Sequence, residues 1–321
     1  MNVAFDSRAN KDCRGIGRYA RCLLDALRAE DRGQISETHA PVPRRSEIYH
    51  SPWLDGALLR APMPMVVTLH DLVPLKRAGE YLRSGVRLKM RYLAAQRAVR
   101  VIVSTSVVAD DAINVLGIPA DRIVVIPEAA DPIFHPRPAH QIAMARARHG
   151  LPDQDLLSVG GMQSPERHRQ IAALAKARRS MPLVLVGPTG PWAHELTGVT
   201  VTDQVSDDDL AAIYSGAHAL VFSGDGDGFG LQLVEALACG TPVVACNTPS
   251  VREVLGDRIE LREVGDINGL VAAAQRAQRP APAPVRWTWK DAAAATWNVY
   301  EEAVQAPRMW LGVSRRPRAA A

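Results

Sequence analysis

The sequence predicts an α/β protein in which two parallel-sheet domains face a cleft. Three observations carry this. Short apolar strands alternate with 3.6-period segments along most of the chain, the rhythm breaks once in a proline-rich stretch, and 321 residues are about twice the length of an average domain. Hydrophobic residues make up 47% and charged residues 22%, so a large core can be filled and neither a disordered nor a fibrous chain fits.

The first domain, expected over residues 1–135, opens with the strand Val3-Ala4-Phe5 and an amphipathic stretch from Gly15 to about Ala29. Strands Ile48-Tyr49-His50 and Val66-Val67-Thr68-Leu69 follow, then a helical segment over 81–99, Val101-Ile102-Val103, a helix from near Ser106, and Ile123-Val124-Val125-Ile126. Apolar strands joined by helices make βαβ units, so the sheet is parallel and covered on both faces. Pro132, Pro136, Pro138 and Pro152 interrupt this pattern and mark a connector. The second domain, over 151–285, resumes with Leu156-Leu157-Ser158-Val159, a helix from about Arg167, Leu183-Val184-Leu185-Val186, a helix capped by Ser206, and Ala219-Leu220-Val221-Phe222. A helix over 230–239, the strand Pro242-Val243-Val244-Ala245 and a helix from about Asn268 complete it. Ser206 followed by three aspartates satisfies and complements a helix start without any metal. A last helix, about 290–305, is expected to return to the first domain, and 307–321 has the composition of a disordered tail. Both domains are thus Rossmann-like, and the cleft lies where their strand-to-helix loops meet.

The formal charge of +4 is uneven: residues 1–150 carry 22 Lys+Arg against 15 Asp+Glu, leaving 16 against 19 for the rest. The basic residues lack interleaved aromatics, so a solvated face is favoured over nucleic-acid binding, while an anionic membrane surface or a phosphate-bearing substrate remains a candidate partner. Cys13, Cys22, Cys239 and Cys246 form no C-x-x-C pair, which argues for reduced thiols. No apolar run approaches the roughly 18 residues that cross a bilayer, and the N-terminus lacks an apolar leader. A soluble, cytoplasmic protein is expected, with attachment to the inner face of the membrane as an added expectation.

The stretch from Ser223 to Pro242 is the richest in chemistry. A glycine-rich loop after Phe222 leads into a helix near Gly230, so free N–H groups and a positive helix end point into the cleft. Asp227 lies in the loop, and Glu235 shares a helix face with Gln232, so two carboxylates are placed to accept hydrogen bonds from hydroxyls. Asp225-Gly226-Asp227-Gly228 imitates a calcium loop, but its twelfth position is Ala236, and no metal site is expected. Gly15-x-Gly17 alone lacks the third glycine of a nicotinamide-binding turn.

Asp227-Gly228-Phe229-Gly230-Leu231 and Glu235-Ala236-Leu237-Ala238-Cys239-Gly240-Thr241-Pro242 resemble the signature of the retaining GT-B glycosyltransferases of family 4, with the eight-residue offset between the acidic positions kept. Gly15-Ile16-Gly17-Arg18-Tyr19, His70-Asp71-Leu72-Val73-Pro74-Leu75 and Val205-Ser206-Asp207-Asp208-Asp209-Leu210 match in order. The resemblance implies that Glu235 binds the donor ribose and Asp227 the transferred sugar, with backbone groups of Gly228, Phe229, Gly230 and Leu231 on sugar and phosphate. It further implies Val205 beside the base, Gly15 beside the diphosphate, Arg167 on the diphosphate, and His70 facing the reacting centre. No cofactor is implied beyond the donor, GDP-mannose or a UDP-sugar, with the Gly-Ile-Gly-Arg-Tyr start tilting towards mannose. The acceptor is expected to be a saccharide or a lipid-linked hydroxyl of surface polysaccharide synthesis. Two departures stand out: Asp227 is one methylene shorter than the family's glutamate, and Gly161 replaces the first cation of the diphosphate clamp, for which Arg18 is a candidate substitute. A catalytically weak sugar-nucleotide-binding partner subunit is the alternative reading. Acceptor recognition is expected to be trimmed between Arg32 and Ile48, where the chain is short.

Overall fold

The computed structural model describes residues 1–12, 15–39, 46–72, 75, 85–160, 165–188, 190–224 and 228–306, with backbone only at 85, 87 and 165–167. Asp227, Gly161 and the tail 307–321 lie outside the described residues, as does the side chain of Arg167. Two six-stranded parallel sheets form the frame, as the alternating pattern predicts.

The first sheet has the order β2-β1-β3-β4-β5-β6, built from β1 (Asn2–Asp6), β2 (Gln34–Thr38), β3 (Ile48–Ser51), β4 (Met65–Leu69), β5 (Arg100–Val103) and β6 (Ile123–Val125). Among its described helices are α1 (Gly15–Ala29), α2 (Gly85–Ala95) and α3 (Ser106–Asn114). α4 (Ala139–His149) then leads to the second sheet, of order β12-β11-β10-β7-β8-β9. That sheet comprises β7 (Leu156–Val159), β8 (Leu183–Val186), β9 (Val199–Thr202), β10 (Ala219–Phe222), β11 (Val243–Cys246) and β12 (Glu260–Arg262). Its helices are α5 (Pro165–Lys176), α6 (Asp207–Gly216), α7 (Leu231–Ala238), α8 (Pro249–Leu255) and α9 (Ile267–Arg276), and α10 (Trp289–Gln305) closes the described chain. β4, β8, β10 and β11 are buried at every position, the reason they read as unbroken apolar runs.

Three strands and two helices, α4 and α8, depart from the sequence expectation. β2, β9 and β12 were not anticipated because each lies at a sheet edge, is half-buried and carries Gln, Thr, Glu or Arg in place of an apolar run. β2 also fills the interval expected to be trimmed between Arg32 and Ile48. The connector holds α4: Pro138 sits at its N-cap, where a missing N–H costs nothing, and Gly150 ends it at φ 62°. Of the prolines that suggested a connector, Pro138 therefore marks a helix start within it.

α10 packs against α1, β3 and β4 of the first sheet. Its start is fixed by a capping box between Thr288 and Asp291, and Trp297, fully buried, donates from Nε1 to the Leu27 carbonyl at 3.2 Å. One apolar core runs through both halves, from Phe5, Tyr19 and Leu27 through Phe134 to Tyr214, Phe229 and Leu233. The cleft therefore has no loose seam: its two walls share a core at their base.

Candidate active site

Among the described residues, the walls of the cleft meet at four places that bear on the site. Gly15, at the start of α1, stands opposite Leu231, at the start of α7; a Cβ on Gly15 would lie 3.7 Å from Leu231 Cδ1. Two helix N-termini thus converge, each with free N–H groups and the positive end of a dipole. Gly228 passes so close to the His70 backbone that an added Cβ would lie 2.8 Å from the His70 carbonyl carbon. Thr105, the N-cap of α3, donates from its hydroxyl to the Gly228 carbonyl at 3.3 Å. Beside it, Glu253 of α8 accepts from the backbone N–H and the hydroxyl of Ser106, both at 2.7 Å, and lends its negative charge to the start of α3.

The fourth contact is an ionic cluster. Arg18 of α1 donates from Nη1 to Glu235 Oε1 at 2.6 Å, pairs through Nη2 with Asp207, and lies 4.8 Å from the centre of the Phe134 ring. Glu235 is fully buried, and its other oxygen accepts from the Tyr214 hydroxyl at 3.2 Å. Burial pushes the Glu235 carboxyl up and Arg18 pulls it back only in part, so the net shift is upward while the ion pair with Arg18 keeps its charged form partnered. For Arg18, burial opposes the charge but Glu235 and Asp207 outweigh it, so the guanidinium is held more firmly protonated than usual. Asp207 begins α6 immediately after Ser206, whose hydroxyl accepts from the Asp209 N–H as the sequence suggests. Val205, just before this cap, is partly buried against the shared core.

His70 follows β4 at the edge of the first sheet. Its Nε2 lies 2.9 Å from the Pro52 carbonyl, which can only accept, so Nε2 carries a proton. Nδ1 faces Glu128 Oε1 at 3.3 Å, and the Tyr19 ring packs edge-on at 4.6 Å. Burial lowers the His70 pKa, but Glu128 and the Pro52 carbonyl more than reverse this, and the net shift is upward. A doubly protonated His70 satisfies both acceptors and leaves neither nitrogen free as a base; it can supply positive charge to the cleft. Behind it a buried chain runs from Tyr19 through Thr68 (3.1 Å) and His50 (3.0 Å) to Tyr300 of α10 (2.5 Å), with burial driving His50 down to about 3.

The structure thus brings Gly15, His70, Gly228, Phe229, Gly230, Leu231 and Glu235 to one seam. Gly230 adopts φ 84° to start α7, while the Phe229 side chain is buried against Trp287 with ring centres 5.9 Å apart, leaving its backbone for the loop. Arg167 falls on α5, but where its side chain reaches lies outside the described residues, as does Asp227. Sequence reasoning missed Glu128, Tyr214 and the bridging role of Glu253. Glu128 was detectable in principle: like His70, it follows a strand at the loop edge of the same parallel sheet, where polar side chains tend to serve ligands.

Comparison with known proteins bears on the family and the fold. A family profile described as glycosyl transferases group 1 matches residues 153–279, and one described as glycosyltransferase family 4 matches 46–133. The chain belongs to the family 4, group 1 glycosyltransferases. It is 27% identical over 248 residues to the O-antigen chain mannosyltransferase B of Escherichia coli, covering 70% of this chain and 63% of that protein. It is 32% identical over 258 residues to the D-inositol 3-phosphate glycosyltransferase of Mycobacterium bovis, covering 72% of this chain and 53% of the relative. The chain therefore spans about half to two thirds of the length of these two relatives. Among solved structures, the sucrose-phosphate synthase of Thermosynechococcus elongatus superposes with a TM-score of 0.67 at 21% identity, over 95% of this glycosyltransferase and 96% of that chain. HepE of Anabaena, solved with UDP-glucose, gives the same score at 18% identity over 95% of each chain. The GT-B fold expected for a family 4 glycosyltransferase is thereby borne out.

Proposed function

We propose that this glycosyltransferase moves a hexose, mannose in the first instance, from a nucleotide diphosphate sugar to a hydroxyl of a saccharide or lipid-linked acceptor, with retention of configuration and without a metal. The observation that carries the reading is the buried Glu235 at the seam, where two helix N-termini converge beside an arginine of the facing domain. An ionised carboxylate with lone pairs to spare suits the vicinal hydroxyls of a ribose, and converging helix starts suit a diphosphate. Breaking the glycosidic bond places positive charge on the sugar ring and negative charge on the leaving diphosphate. Helix N-termini and Arg167 stabilise the phosphate, and its departing oxygen takes the acceptor proton on the same face. The mannose preference is supported by the O-antigen mannosyltransferase relative; the HepE structure with UDP-glucose keeps a UDP-sugar as the competitor. A thermal-shift screen of nucleotide sugars tests this. GDP-mannose is expected to raise the melting temperature by a few degrees at about 100 times its Kd, and to support hydrolysis or transfer. Donor binding without turnover on any acceptor would instead favour the weak partner-subunit reading, and no shift with any nucleotide sugar would remove both.

The acceptor side is proposed to work at an anionic membrane surface. Val86, Met90 and Leu93 are 76%, 40% and 48% exposed at one-turn spacings on α2, a stripe on one face. From residue 81 to 109 the sequence holds Arg83, Arg87, Lys89, Arg91, Arg97 and Arg100 and no acidic residue. An apolar stripe bordered by cations is the composition of a helix that lies in a lipid interface. Among the described residues no helix is long and apolar enough to cross a membrane. In a flotation assay the protein is expected to rise with phosphatidylglycerol vesicles and not with phosphatidylcholine. Combined Val86→Asp and Leu93→Asp should weaken that association about tenfold, and unaltered flotation of the variant would remove α2 from the membrane face.

A further inference from the structure

Glu235, the carboxylate assigned to the donor ribose, is sealed off: its side chain is 1% exposed, and Arg18 of the opposite domain sits on its Oε1. A ribose hydroxyl therefore reaches Glu235 only after Arg18 moves. A guanidinium moved off Glu235 would lose its buried partner and keep only the more exposed Asp207, a poor exchange for a partly buried cation. The donor carries its own replacement anion. Arg18 lies one turn into α1, on the same helix face as Gly15, and Gly15 stands 3.7 Å (to an added Cβ) from Leu231 where α1 and α7 converge. A diphosphate drawn to those two helix starts would be within one helical turn of Arg18. The Arg18 Nε, moreover, is buried and makes no hydrogen bond in the donor-free arrangement, so the guanidinium has an unused donor for a forked contact. In the second domain, position 161 is a glycine and supplies no competing cation.

We propose that Arg18 is a partner-exchanging donor residue: it holds Glu235 and Asp207 in the donor-free protein, then cedes Glu235 to the ribose and takes the diphosphate in its place. The proposal rests on the reading that Glu235 receives the donor ribose. It also explains how the second domain, with Gly161 in place of the first clamp cation, can do without it, because the first domain lends an arginine. The exchange makes affinity depend on phosphate number. A nucleoside must break the Arg18–Glu235 pair and gives the guanidinium nothing in return, whereas a nucleoside diphosphate satisfies both sides.

The test is calorimetric titration of the full chain with guanosine, GMP and GDP, and with uridine, UMP and UDP, comparing wild type with Arg18→Gln and Arg18→Lys. In wild type the diphosphate should bind far more tightly than the nucleoside. In Arg18→Gln the nucleoside should bind more tightly than in wild type and the diphosphate less tightly, so that the ratio of their Kd values narrows by about tenfold or more, the worth of a charge-assisted contact. Arg18→Lys, which keeps a point charge but loses the fork, should fall between the two. An unchanged ratio, or an equal weakening of every ligand, would overturn the exchange and leave Arg18 a structural residue. Melting curves of all variants confirm folding, and should Arg18→Gln not fold, the same ratio read in Arg18→Lys decides the matter. The underlying donor reading fails separately, by wild type binding none of the six ligands or by Glu235→Gln leaving nucleoside affinity unchanged.

Discussion

Replacing Glu235 by alanine is expected to lower kcat/KM for the donor by about 10²–10⁴-fold. The magnitude follows from two hydrogen bonds to an ionised carboxylate, each worth roughly 1.5–3 kcal/mol, with about 1.4 kcal/mol per factor of ten. Because Glu235 is buried and bonded to both Arg18 and Tyr214, the alanine variant also loses structure: it leaves the Tyr214 hydroxyl and one face of Arg18 without a partner. Breaking a buried pair costs about 3–5 kcal/mol when the remaining charge is sealed, and less here because Asp207, 39% exposed, still neutralises Arg18. Glu235→Gln separates the two effects. It keeps the shape and one carbonyl acceptor but removes the charge, so it should fold with a melting temperature close to wild type and still lose most of the activity. Asp227→Ala is expected to join it in abolishing both donor hydrolysis and transfer. Wild-type rates in the Glu235 and Asp227 variants, measured on the folded proteins, would sink the assignment of this segment to the donor.

How much of this was legible in the chain depended on what each residue had to say locally. The central strands announced themselves because burial on both faces demands apolar runs such as Met65-Val66-Val67-Thr68-Leu69. Edge strands such as Glu260–Arg262 did not, since one neighbour and one wet side leave no pattern longer than three residues. In the site, the positions fixed by backbone needs were readable: Gly15, Gly228 and Gly230 stand where helix starts and a close approach require them. What the sequence could not express was pairing between distant residues. Nothing near Arg18 indicates that its partners are Asp207 and Glu235, respectively 189 and 217 positions away, and nothing near Ser106 points to Glu253. These contacts exist only because two separately wound sheets are brought face to face, and they decide which charges in the cleft are neutralised before a ligand arrives. The resemblance placed His70 facing the reacting centre, but that Glu128 and the Pro52 carbonyl engage both its nitrogens is legible only in the fold.

Gly228→Ala is expected to reduce kcat by about 10²-fold while barely changing the melting temperature. The reasoning turns on which parts the glycine holds together. A Cβ at 228 would lie far inside contact distance of the His70 carbonyl oxygen and 2.8 Å from its carbon, with Val108 Cγ2 at 3.5 Å. A carbonyl at the end of a fully buried strand cannot yield, so overpacking costs about 1–3 kcal/mol if the contact is kept. His70 and Val108 belong to the first domain, however, and Gly228 to the second. The strain is relieved by letting the upper walls part by an ångström or so, hinged on the shared core at their base, which sacrifices the Thr105–Gly228 bond but leaves both sheets intact. A displacement of that size between catalytic groups carries a rate penalty of the order of 10²-fold. Gly17→Ala is the matched control. Its Cβ would lie 2.8 Å from the Asp12 carbonyl carbon and 3.1 Å from the Ala9 oxygen, all within one domain, so no movement between the domains relieves it. That variant should lose about 1–3 kcal/mol of stability, a fall of several degrees in melting temperature. The pair is read by combining donor turnover with thermal melts. An active Gly228→Ala enzyme would mean that the His70–Gly228 approach is not needed for turnover, and a Gly228→Ala protein that melts as early as Gly17→Ala would mean that the two walls cannot move independently.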